Sequence, residues 1–174
     1  MTDTLTLTEQ LAQWNRRATA PMHALNRSMG NSEGWATTLV AACADPKTQS
    51  AASWLLLQHL AADDAVLSGA DSSALIGHLT MLSAWDAQLH ALQILPKLVI
   101  AADKADAVNS FVMPLLASNR KLVRAWANYG LAMVAAQHDR FKAGALTTLG
   151  EALERETTGS VRVRVKRGIA LLTS

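Results

Sequence analysis

Ser118-Asn119-Arg120-Lys121-Leu122-Val123-Arg124 is a short polar break that runs into the opening of a helix. Before it, Val108, Phe111, Val112, Leu115 and Leu116 recur at helical spacing. After it, Val123, Ala127, Leu131 and Val134 do the same. Helix, break and helix make one unit. The arrangement returns around Asp45-Pro46-Lys47-Thr48-Gln49-Ser50-Ala51, Ala84-Trp85-Asp86-Ala87-Gln88-Leu89-His90 and Thr158-Gly159-Ser160-Val161-Arg162-Val163-Arg164. Aligning Ser50, Leu89, Val123 and Val163 gives spacings of 39, 34 and 40 residues. A period in this range marks stacked supersecondary units, each too small to bury its apolar side alone.

The whole chain reads as all-α. It is 174 residues long, half of them hydrophobic, 17% charged, with few Gly and Pro. That composition favours helix over strand and offsets the entropy of ordering. Residues 1–32 read as an N-terminal segment with a capping helix. Thr8 is its expected cap, Leu11, Trp14, Ala18 and Met22 its apolar side, and Pro21 a kink or end. Gly30 and Asn31 suit a left-handed turn, and Ser32 suits the next cap. Four helix pairs follow at about 33–62, 71–102, 103–137 and 138–174.

Within the pairs, Asp45 is expected to cap a helix that Pro46 opens, and Asp71 to cap another. Leu75, Leu79, Leu82, Leu89, Leu92, Leu95 and Leu98 form an apolar series, with Pro96 expected to bend the second helix of its pair. Gly159 suits the C-cap of the seventh repeat helix. Val161-Arg162-Val163-Arg164-Val165 alternates like a strand, but a lone strand cannot pair its backbone groups. The reading is helix.

Phe111-Val112-Met113-Pro114-Leu115-Leu116 followed by Asn119-Arg120-Lys121-Leu122-Val123-Arg124-Ala125 resembles the HEAT-repeat (HEAT/armadillo-like) superfamily: a proline in the first helix, a polar turn, then a Val-Arg pair. Val163-Arg164 resembles the same pair, Leu89-His90 a degraded one, and Asp45-Pro46 the Asp-containing turn. The resemblance covers residues 33–174. Ser50-Ala51 and Ser118 depart from it, which leaves any Asp–Arg ladder between repeats incomplete. The resemblance implies a right-handed α-α superhelix, a short solenoid whose second helices line a concave, macromolecule-binding surface.

Charge is unevenly spread. Residues 1–117 carry six basic and ten acidic residues, and residues 118–174 ten basic and four acidic, hence −4 and +6. Such asymmetry either solvates the last helices or marks an anionic partner. Lys121, Arg124 and Asn128 share one helical side, which Arg164 and Arg167 extend, with Arg162 and Lys166 flanking. These are candidate macromolecule-binding residues, together with Trp85 beside a turn. The alternative for Arg124 and Arg164 is a structural one, hydrogen bonds between repeats.

No catalytic constellation stands out. The five histidines, at 23, 59, 78, 90 and 138, lack helix-borne zinc spacing. No phosphate loop or nucleophile elbow is present, and Asp63-Asp64 reads as a solvated loop. Cys43 lies in an apolar run and reads as a small core residue. No cofactor or metal is expected. No apolar run reaches membrane-spanning length and the first residues show no secretory leader, so the expectation is a cytoplasmic protein. Its expected role is a non-enzymatic scaffold for another macromolecule, most readily a protein. The alternative is nucleic-acid binding through the basic C-terminal half, as in HEAT-like DNA glycosylases.

Overall fold

The computed structural model describes residues 5–61 and 66–174; Asp63-Asp64 and the first four residues lie outside them. Ten α-helices and no strand occur among the described residues. None of these helices is long and apolar enough to cross a membrane. The chain divides into two compact units, up to Ala91 and from Leu92 onward.

In the first unit, α1 spans Leu7–Ala12 and α2 Ala20–Met29. Thr6, not Thr8, caps α1. Its side chain accepts from the Glu9 amide at 3.3 Å, while Glu9 accepts from the Thr6 amide at 2.8 Å. The reciprocal box needs an acid three residues on, which only Thr6 has. The helix stops at Ala12, and four residues further on Arg16 adopts a left-handed φ of 65°. Pro21 sits in the first turn of α2, where its missing N–H costs nothing, so it begins a helix instead of ending one. The left-handed turn before α3 (Trp35–Ala42) falls at Gly34, φ 74°, not at Gly30 or Asn31.

The helix after the Asp45 turn, α4, spans Gln49–His59, three residues later than expected. Asp45 Oδ1 instead accepts from the Lys47 amide at 2.8 Å, closing a turn around Pro46. α5 (Gly69–His78) is capped by Ser68, with Asp71 as its reciprocal partner. A 3-10 turn, Leu79–Met81, leads towards α6 (Trp85–Ile94). Leu39, Leu55, Leu56, Leu75, Ile76 and Leu79 form this unit's core.

In the second unit, Pro96 lies in a 3-10 turn, Leu95–Lys97, so it ends α6 instead of bending it. α7 spans Ala105–Leu115, α8 Lys121–Gln137, α9 Lys142–Arg155 and α10 Gly159–Thr173. Gly159 opens α10; it does not close α9. The alternating Val161–Val165 stretch is helical, with Val161 and Val165 fully buried and Val163 exposed.

α8 is the centre of this unit. α7, α9 and α10 all pack on it, α10 most extensively. α8 and α10 run side by side in the same direction, Arg164 lying at Trp126 and Gly168 at Ala132. A Cβ on Gly168 would stand 3.0 Å from that of Ala132, and one on Gly130 3.0 Å from Leu95 Cδ1. Glycine at these two points is what permits the close approach.

Candidate functional site

One hydrogen bond is common to all four hairpins. A side chain at the start of each second helix donates to the backbone carbonyl six residues earlier, at the end of the hairpin's first helix or in the turn. Thr48 donates to Ala42 (2.6 Å), Gln88 to Leu82 (2.9 Å), Arg124 to Ser118 (2.7 Å) and Arg162 to Glu156 (2.9 Å). These carbonyls belong to the orphan acceptors of a chain leaving a helix. The bond stitches the two helices at their shared end. Thr48, Gln88, Arg124 and Arg162 stand 40, 36 and 38 residues apart.

This register corrects the sequence alignment. Val161-Arg162, not Val163-Arg164, matches Val123-Arg124: Val123 and Val161 are both buried, and their arginines make the same bond. Arg162 also donates to the Leu153 carbonyl. Hydrogen bonds between hairpins, the structural alternative for the two arginines, occur at Arg124, which reaches Glu156, and not at Arg164; Arg162 bonds within its own hairpin.

Arg124 does more than close its hairpin. Its Nε donates to Glu156 Oε2 at 2.7 Å, tying the third hairpin to the fourth. Glu156 Oε1 accepts from the Thr158 amide at 2.9 Å. Arg124, with this amide, holds the Glu156 carboxyl down to about 2. Asn128 shares that side of α8, as the spacing implies, but is 3% exposed. Its Nδ2 donates to the Arg124 carbonyl at 2.8 Å, and its Oδ1 has no partner among the described residues. Arg124, Asn128 and Glu156 line a cavity of about 410 Å³ whose apolar wall includes Met113, Leu116 and Ala152.

Arg164 is elsewhere. Its guanidinium lies 3.7 Å above the Trp126 ring and 5.8 Å from that of Tyr129. At 3.6 residues per turn, Trp126 and Tyr129 point more than a quarter-turn away from the Arg124–Asn128 side. The single stripe expected from Lys121 to Arg167 is thus divided. Arg124 and Asn128 go to the cavity, and Arg164 goes to the aromatic side, with exposed Arg167 one helical turn further on. Burial, and then Arg167, lower the Arg164 pKa. Lys121 is exposed at the first residue of α8, and Lys166 is exposed on α10. Trp85, 39% exposed, opens α6 and belongs to the first unit.

The first unit holds a polar seam that the sequence did not reveal. Ser50 Oγ donates to Asp86 Oδ1 at 2.9 Å, and Arg16 Nε meets Asp86 Oδ2 at 2.8 Å. Ser53 Oγ lies 3.0 Å from His90 Nδ1. Gln49 Oε1 accepts from the Ser83 and Ala84 amides. Burial pushes His90 down to about 4, against the pull of Asp86, so the ring is neutral. Serine, histidine and aspartate are the residue types of a hydrolytic triad, but Ser53 is 1% exposed and Asp86 is engaged by Ser50 and Arg16. The group serves packing between α4 and α6. The helical offset of Asp86 and His90, four residues, was its only sequence signal.

Other groups singled out by sequence also serve packing. Trp35 is buried and donates to Asn26. Trp54 lies against Trp14 and His23. Burial lifts the Cys43 thiol to about 12, which keeps it protonated. Among the described residues, no three His, Cys, Asp or Glu side chains converge as a metal site would require. Comparison of the chain with protein-family models, with curated proteins and with solved structures returns no match.

Proposed function

We propose that this chain is a non-enzymatic helical-repeat scaffold of the HEAT/armadillo-like kind, acting in the cytoplasm and binding another protein through the exposed side of α8 and α10. The observation that carries this reading is the division of labour between two arginines. Arg162 is consumed by the hairpin, whereas Arg164 stands on Trp126 with no carboxylate partner among the described residues. Exposed apolar residues accompany it: Leu122 is 48% exposed and Val163 49%. Aromatic and arginine side chains among apolar neighbours are the composition of protein-binding surfaces. The recurring hairpin bond supports the repeat assignment, because it gives each unit the same corner. In the solenoid so proposed, α8 and α10 are second helices, and their exposed side forms part of the concave surface.

The excess of cations in the last two hairpins supports a second reading, nucleic-acid binding. Lys121, Lys166 and Arg167 also lack carboxylate partners among the described residues. One experiment separates the two. Cross-linking mass spectrometry on a captured protein partner should place it against α8 and α10, and Leu122→Glu should abolish capture without lowering the melting temperature. A duplex-DNA complex whose affinity drops steeply with salt, together with no such protein contact, would overturn the protein reading.

A further inference from the structure

We propose that Arg164 and Arg167 form a carboxylate clamp, and that the partner segment they grip is acidic and amphipathic; this rests on the protein-binding reading above. Stacked on Trp126, the Arg164 guanidinium has one face covered. Its five N–H donors lie in the plane of the group and point past the ring edge. No hydrogen-bond acceptor engages them among the described residues. A stacked arginine is already ordered, so binding costs little further side-chain entropy.

Arg167 supplies the second jaw. Three residues on, it projects from the same side of α10, exposed and without a carboxylate partner among the described residues. Like charges one turn apart repel. A carboxylate bridging them removes that repulsion and satisfies donors from both forks. Residues 118–174 carry a net charge of +6, which draws an acidic segment to this end of the chain.

The surroundings favour protein over phosphodiester. Leu171, 37% exposed, completes the i, i+3, i+7 side begun by Arg164 and Arg167. Leu122 and Val163 stand at the starts of the two parallel helices. Aliphatic groups so placed match leucines and valines interleaved with glutamates. A nucleic-acid backbone would be met by polar side chains throughout. Trp126 also has a face covered by Arg164, and that face cannot stack a base.

The test is fluorescence anisotropy with the full chain and three labelled probes. They are an amphipathic peptide of about four helical turns with glutamates one turn apart and leucines between them, the same peptide with glutamines, and a DNA duplex of similar length. The glutamate peptide should bind at least about tenfold more tightly than the glutamine peptide, a difference near 1.4 kcal/mol. Arg164→Gln and Arg167→Gln should each erase most of that preference, with circular dichroism unchanged. Lys142→Gln, an exposed change on α9, should leave it intact. The Trp126 indole N–H resonance should shift on titration with the glutamate peptide alone. Equal binding of the two peptides, or no binding of either, would sink the clamp while leaving the protein-binding reading standing. Tighter binding of DNA with the same dependence on Arg164 would sink both.

Discussion

Two pairs of neighbouring second helices treat their polar groups in opposite ways. Between α4 and α6, Ser50 pairs with Asp86 and Ser53 with His90, Gln49 accepts from the Ser83 and Ala84 amides, and Arg16 reaches in from the N-terminal segment to close the set. Between α8 and α10, Gly168 meets Ala132, Val161 and Val165 are buried, and Arg164 lies over Trp126. The arginines there divide into those the hairpins consume, Arg124 and Arg162, and those left outward, Arg164 and Arg167. A polar seam spends its charges on internal order. A close-packed apolar seam leaves the charges at its rim free for recognition. Charge count alone cannot separate the two cases, because what decides is whether an acceptor lies within reach.

The comparison can be broken at several points. Leu92→Ala should have the largest effect, about 2–5 kcal/mol in a urea melt, because Leu92 is fully buried against Gly130 and little can refill the space. A cost below about 1 kcal/mol would mean that the apolar half is not close-packed. Gly168→Val should cost about 1–3 kcal/mol by forcing α10 away from Ala132, and should weaken the proposed peptide binding by displacing Arg164. Arg16→Ala strands the Asp86 carboxylate, whose side chain is 8% exposed, and should cost about 1–3 kcal/mol in the same melt. Asp86→Asn in that background should recover part of the loss, which separates an unpaired charge from lost contact area.

Acid should act on the two regions in separate windows. Folded His90 has its pKa lowered from 6.5 to about 4, so the unfolded chain takes up the proton first. Stability from this group is full above pH 6.5 and falls as pH drops towards 4. Glu156 is lowered from 4.5 to about 2, so its contribution is present above pH 4.5 and is lost between there and 2. Melting temperature followed against pH should lose its upper step in His90→Gln and its lower step in Glu156→Gln. The smallest effect belongs to Arg164→Gln. It should remove only the contact with Trp126, about 0.5–1 kcal/mol, whereas Arg162→Gln also breaks charged hydrogen bonds and should cost about 1.5–3 kcal/mol. Equal losses for the two variants would erase the distinction on which the proposed binding face rests.

Helical spacing made the leucine series and the last helix legible, since burial at every third or fourth position leaves a direct trace in sequence. Helix starts were less legible. Thr8, Asp45 and Asp71 are good capping residues, but a side-chain cap is chosen by its partner three positions on and by the turn before it; Thr6 and Ser68 met those conditions, and α4 begins after Thr48 with no side-chain cap bond. The two-residue slip at Val161-Arg162 arose because two valines alternate with arginines there. Only burial tells them apart. Of the candidate site, the shared side of Lys121, Arg124 and Asn128 was readable from spacing. The Glu156 that takes Arg124, and the Trp126 that carries Arg164, lie 32 and 38 residues away from them and become visible only after folding.

The corner bond of the hairpins has a bearing on how the chain reaches its shape. It joins residues six apart, so closing it loses very little chain freedom, and it needs nothing from distant segments. Each corner can snap shut on its own before neighbours meet, the route taken by fast-folding, locally wired proteins. Weakening a corner, as in Arg162→Gln, should then delay refolding more than it hastens unraveling, and a chevron plot would record the imbalance in its left-hand arm.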